Sequence, residues 1–127
     1  MSGFTKKFAI AIGFVAAMGV ATPSVSQGLA GAYLAGNQAN RDNNYDQAAK
    51  FYAQALARDP NNPYLLQNGL LAFVGKGDVD RAVAIAQKIA SGQFGSQLAD
   101  LVLTSDAIKK GNFSQAQTIL KDGEDRF

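Results

Sequence analysis

Three stretches decide how this chain is read: NNYDQAAKFYAQAL at 43–56, GDVDRAVAIAQKI at 77–89 and GNFSQAQTIL at 111–120. Laid over one another without gaps, they repeat every 34 residues. Asn43, Gly77 and Gly111 share one column, Asn44, Asp78 and Asn112 the next, and Tyr45, Val79 and Phe113 a third. Ala48, Ala82 and Ala116 form a fourth. A fixed period of this length marks a repeat architecture in which each copy is one supersecondary unit.

The columns have a common local logic. Asn or Gly in the first suits the left-handed backbone that ends a helix. Asn or Asp in the second can cap the next helix by accepting from its free backbone N–H groups. The run that follows carries apolar residues at three- and four-residue spacing, as Val79, Ala82, Val83, Ala86 and Ile89 do, and that is helix periodicity. Each repeat therefore reads as two antiparallel helices joined by a tight turn. The alanine column marks where the second helix touches the first, since helices approach closely only over small side chains. A bulky residue there would overpack the pair, at a cost of about 1–3 kcal/mol. Tyr45, Val79 and Phe113, an aligned apolar column, are expected in the core.

Boundaries between copies are written in as well. At ARDPNNPY (57–64), Pro60 stops one helix, Asn62 caps the next and Pro63 takes its tolerated first position. SGQFGS (91–96) marks the second boundary. The predicted helices are 28–42, 45–58, 63–76, 79–91, 96–110 and 113–122, an all-α chain.

Residues 1–26 read as an address. Lys6 and Lys7 form a basic start, and an uncharged run of 14 residues follows from Phe8 to Ala21. Pro23 then breaks any helix, and Ser24-Val25-Ser26 places small residues before a cut at Gln27. These are the three parts of a cleavable secretory signal. A second cleavage point lies after Ala21. The competing reading is a membrane anchor over residues 8–25, but a spanning helix needs about 20 apolar residues. The expected location is thus periplasmic or secreted, with a mature region 27–127 that does not engage the membrane.

The 127-residue chain has no Cys, His or Trp, and twelve Lys/Arg face ten Asp/Glu. Losing Lys6 and Lys7 with the signal leaves ten of each sign. No basic cluster interleaved with aromatics remains, so nucleic-acid binding is not expected. Without His, Cys or clustered carboxylates, the chain is not expected to be an enzyme. No cofactor or metal is expected either: there is no Gly-rich phosphate loop or metal-binding His pair. The acidic tail Asp122, Glu124, Asp125 lacks the spacing of a calcium loop and reads as a solvated end. The pair Lys109-Lys110 reads as a solvated helix terminus that offsets the helix dipole.

On these residues the chain resembles the tetratricopeptide repeat (TPR) family, whose period is 34. The copies fall at about 29–62, 63–96 and 97–127. Gly36 meets the family's small position eight, and the alanine column its position 20. Gly77-Asp78 and Gly111-Asn112 match its turn, and Asp59-Pro60-Asn61-Asn62 its exit. The sequence departs at position four, where Ala32, Leu66 and Asp100 stand in place of the first-helix aromatic, and at position 11, which holds Ala39, Phe73 and Ala107. Gly69 stands one place early in repeat two. Gly123 at position 27 of repeat three predicts an early end to the last helix. With its signal, ALARDPNNPYLLQNGLLA and AIKKGNF, the chain is similar to exported envelope TPR proteins of alphaproteobacteria.

The resemblance implies a right-handed superhelical solenoid of antiparallel helix pairs, with first helices lining a concave groove. It also implies a scaffold that binds a peptide or protein of the cell envelope. Carried onto this chain, the groove positions hold Tyr33, Asn37, Tyr64, Asn68 and Leu71. Tyrosine serves equally as a packing residue, and the two asparagines equally as solvated polar groups. The chaperone-clamping pattern of the family is not met: Tyr33, Leu98 and Val102 stand where it needs cations for a carboxylate. The alternative reading is structural, with the repeats as the N-terminal portion of a longer solenoid or as part of a homo-oligomer. A solenoid end exposes an apolar face unless a polar helix caps it.

Overall fold

Turn chemistry sets where each helix begins. The computed structural model describes residues 25–126 and contains six α-helices: α1 (Val25–Arg41), α2 (Tyr45–Arg58), α3 (Pro63–Lys76), α4 (Val79–Ser91), α5 (Gln97–Lys109) and α6 (Phe113–Glu124). The secretory signal read at 1–26 lies almost wholly outside the described residues. Among those residues no helix is long and apolar enough to cross a membrane.

Asn43, Gly77 and Gly111 all take positive φ, at 56°, 82° and 75°, so the first column closes each hairpin as its residue types require. Asn44, Asp78 and Asn112 each accept from the backbone N–H three residues on, at Gln47, Arg81 and Gln115. Asn62 accepts from both Tyr64 and Leu65. Caps of this kind stabilise a helix by about 1 kcal/mol, and they place the starts of α2, α3, α4 and α6 at the predicted residues.

Each helix packs on the next in sequence, and α1, α3 and α5 also touch along a second row. Consecutive helices run antiparallel. Asp46 at the start of α2 pairs with Lys76 at the end of α3 (3.6 Å), and Asp100 near the start of α5 pairs with Arg126 just past α6. The alanine column lies where the helices meet: Ala48, Ala82 and Ala116 are 0%, 2% and 4% exposed. The core between them is built by Tyr52, Leu65, Leu66, Leu70, Phe73, Ile85 and Ile89.

Packing between repeats follows a size exchange. A Cβ on Gly69 of α3 would lie 3.2 Å from Leu56 and 3.5 Å from Tyr52 of α2. One repeat later, the registers of Tyr52 and Leu56 carry Ala86 and Ala90, and the register of Gly69 carries Leu103, which packs on the core. By register the large residue changes sides from the first junction to the second, with Ala86 buried and Ala90 exposed.

Two expectations are corrected. Val79 and Phe113 are not core residues; they are 53% and 64% exposed. They occupy the first turn of their helices, where their side chains stay open to solvent. Tyr45 in the same column is half-buried because its ring lies on Gly75, where a Cβ would overlap it. Nor does α6 stop before Gly123. It runs to Glu124, and a Cβ at Gly123 would sit 3.3 Å from Asp100 Oδ2. Arg126 Nη2 donates to both oxygens of that carboxylate, at 3.0 and 3.1 Å. The missing side chain makes room for a buried acid, and the pair ties the end of α6 to α5. Smaller differences are the start of α1 at Val25 rather than 28 and the one-residue shorter ends of α5.

Candidate partner-binding groove

The register of α1 against α3 brings Tyr33 and Tyr64 to one place. A cleft of about 410 Å³ opens between the N-terminal halves of the two helices, lined by Leu29, Ala30, Tyr33, Asn62, Tyr64 and Leu65. Tyr64 is 72% exposed on the first turn of α3, where the Asn62 cap leaves it facing out. Tyr33 is half-buried and packs against the core, so it forms the inner wall while Tyr64 forms the rim.

The asparagines lie differently. Asn37 Oδ1 accepts from the Tyr52 hydroxyl at 2.7 Å. Its carbonyl is thereby committed to the α1–α2 contact, and its amide N–H groups make no bond within the described residues. Asn68 Nδ2 donates to Tyr64 O, one turn back, at 2.8 Å, which leaves Asn68 Oδ1 as an acceptor. The backbone carbonyl of Asn68 in turn accepts from Asn40 Nδ2 at 3.2 Å, pinning α3 to α1. Thus the half-buried pair Asn37 and Asn68 offers one donor group and one acceptor. Leu71 is 41% exposed, two turns beyond Tyr64 on α3, and does not line the cleft. Val74, Leu101 and Ile108 are also exposed, whereas Leu98 and Val102 pack inward on the core.

Tyr52 is the member of this cluster that sequence reading did not single out, whereas Asn40 stands at one of the groove positions that the resemblance implies. Tyr52 is fully buried, and its only signal is a tyrosine at a register where repeats two and three carry Ala86 and Leu120. Burial pushes its hydroxyl up to about 12, with Tyr33 adding to the rise and the Asn40 amide opposing it. Asn40 Oδ1 is buried without a hydrogen-bond partner, so the layer beneath the tyrosines holds an acceptor still to be satisfied.

The raised value has a consequence for stability. An unfolded Tyr52 loses its proton near its ordinary 10.0, the folded one near 12. Between these values the unfolded state holds fewer protons, so stability falls as pH rises through that window. Urea midpoints at pH 8 and pH 11 are expected to drop further for the native protein than for Tyr52→Phe. Equal drops would mean that the hydroxyl is not held neutral by burial.

Among the described residues no group of three or more acidic side chains is placed to hold a metal ion. No family model matches the chain, and no curated protein or solved structure matches it.

Proposed function

We propose that this chain is an exported TPR protein, a right-handed solenoid of three helix pairs that binds a peptide segment of an envelope partner along its first helices. The observation that carries the reading is the shared cleft of Tyr33 and Tyr64. Two tyrosines from successive repeats flank an apolar floor of Leu29, Ala30 and Leu65, and Asn37 and Asn68 supply a donor and an acceptor suited to a peptide backbone. Apolar anchoring with backbone hydrogen bonding is how helical grooves hold extended segments. The 34-residue period, the left-handed turn residues and the buried alanine column support the family reading. The basic start and apolar run at 6–21 support export.

The test is selection of peptides from a random displayed library on the purified protein, with affinities measured by titration. Interface energy concentrates in a few aromatic residues, whose truncation costs about 2 kcal/mol or more. Tyr33→Ala and Tyr64→Ala are expected to weaken selected peptides at least tenfold, with Lys50→Ala and Arg81→Ala unchanged. Normal binding by both tyrosine variants, with loss in the other two, would place the partner on the α2–α4–α6 side and reject the reading.

A further inference from the structure

We propose that the protein assembles head to tail with copies of itself, the outer face of α1 in one copy seating on the outer face of α5 and α6 in the next. The inference rests on faces separate from the tyrosine cleft.

One register shows the tail. Tyr52 and Ala86 are both 0% exposed, each on a helix that a further helix follows and packs on, while Leu120 at the same register is 54% exposed. Leu101 is 60% exposed and joins Leu120 and Ile119 in a cleft of about 520 Å³. A second register shows the head. Leu65 and Ala99 are 3% and 1% exposed where they meet the preceding repeat. Gly31 at that register is exposed, and a Cβ there would meet nothing within 4 Å. The two ends therefore present the two halves of a junction that the molecule already makes twice, at α2–α3 and at α4–α5.

The halves also match in size and charge. Leu120 stands where α2 has Tyr52 and Glu124 where it has Leu56, and Gly31 and Ala35 stand where α3 has Leu65 and Gly69. That is large against small, in the sense of the first junction. An antiparallel junction brings the end of α6, with Asp122 and Asp125, towards the N-terminal half of α1. That helix has no acidic residue in its own first turn, and its dipole favours negative charge there. Two unlike faces that join head to tail leave one of each free at every step, so growth is open-ended unless a ring closes.

Sedimentation velocity of the purified protein from micromolar to near-millimolar concentration tests this. The average mass is expected to climb past the dimer without a plateau. Leu120→Glu blocks the tail and Gly31→Glu blocks the head; both sites are exposed, so helix content by circular dichroism should be unchanged. Each variant alone is expected to associate at least tenfold more weakly. Mixed in equal amounts, they retain one good head and one good tail, and should form a species that stops at two chains. Tyr33→Ala and Tyr64→Ala should associate as the native protein does, which separates failure here from failure of the groove reading. A monomer at every concentration would overturn the proposal. So would a dimer that persists in Gly31→Glu alone, with no mixed pair formed when Leu120→Glu is added, since that pattern is tail against tail.

Discussion

Truncating Tyr52 to alanine is expected to lower the free energy of unfolding by about 3–5 kcal/mol, the range for removing a large aromatic side chain from a core. The ring is completely buried. It lies against Gly36 of α1, where a Cβ would come within 3.0 Å, and its Cβ lies against Gly69 of α3. The one side chain therefore fills space belonging to three helices, and neither glycine can grow to occupy it. Its hydroxyl also leaves Asn37 Oδ1 without a donor when removed. Tyr52→Phe isolates that second loss: the ring stays, a half-buried acceptor goes unpaired, and about 1–3 kcal/mol should be lost. Urea denaturation of both variants gives the two numbers. A loss below roughly 1 kcal/mol for Tyr52→Ala, the level of an ordinary substitution, would show that α1, α2 and α3 are not packed around this ring.

Ala82→Leu is expected to cost about 1–3 kcal/mol by the opposite route, overpacking. Ala82 is 2% exposed between α3 and α4, and helices held on both sides cannot part to admit three more carbons. Ala116→Leu should cost less: among the described residues α6 packs on α5 alone, so it has a side towards which it can shift. Lys50→Ala, on the exposed face of α2, should stay within about 0.5 kcal/mol. Melting curves of the three variants provide the check. Equal effects at Ala82 and Lys50 would mean that the alanine column does not mark the helix contact.

The helix bounds were legible because the physics that sets them is local. Asn44, Asn62, Asp78 and Asn112 cap the residues beside them, and Gly77 and Gly111 turn the chain where they stand. The alanine column was legible because a 34-residue spacing reports which positions share an environment. Environments made by a distant partner were not. The spacing put Tyr45, Val79 and Phe113 in one class, yet coverage of each depends on what the neighbouring helix offers, and only Tyr45 finds a glycine beneath its ring. Gly123 counts against a helix by about 1 kcal/mol on propensity alone. Nothing near it in sequence reveals that Asp100, 23 residues earlier, needs the space. In the candidate groove, the pairing of Tyr33 with Tyr64 came from the groove positions that the TPR resemblance implies. The capture of Asn37 by Tyr52 did not, since it joins positions on different helices with no periodic relation. Whether a side chain bonds inward or outward is decided by its neighbours in space.

The reversal of large and small residues at the two junctions has a consequence for how such a chain can be rearranged. Identical modules could be shuffled, deleted or duplicated without penalty, but these cannot. Excising residues 63–96 would set Leu103 against Tyr52 and Leu56, two bulky surfaces with no room between them. Duplicating the same segment would set Gly69 against Ala86 and Ala90, leaving a gap that nothing fills. Each junction accepts its own neighbour and rejects the other's, so the order of the three units is written into side-chain volume. A recombination event between them would yield a chain with intact helices and a misfitted seam.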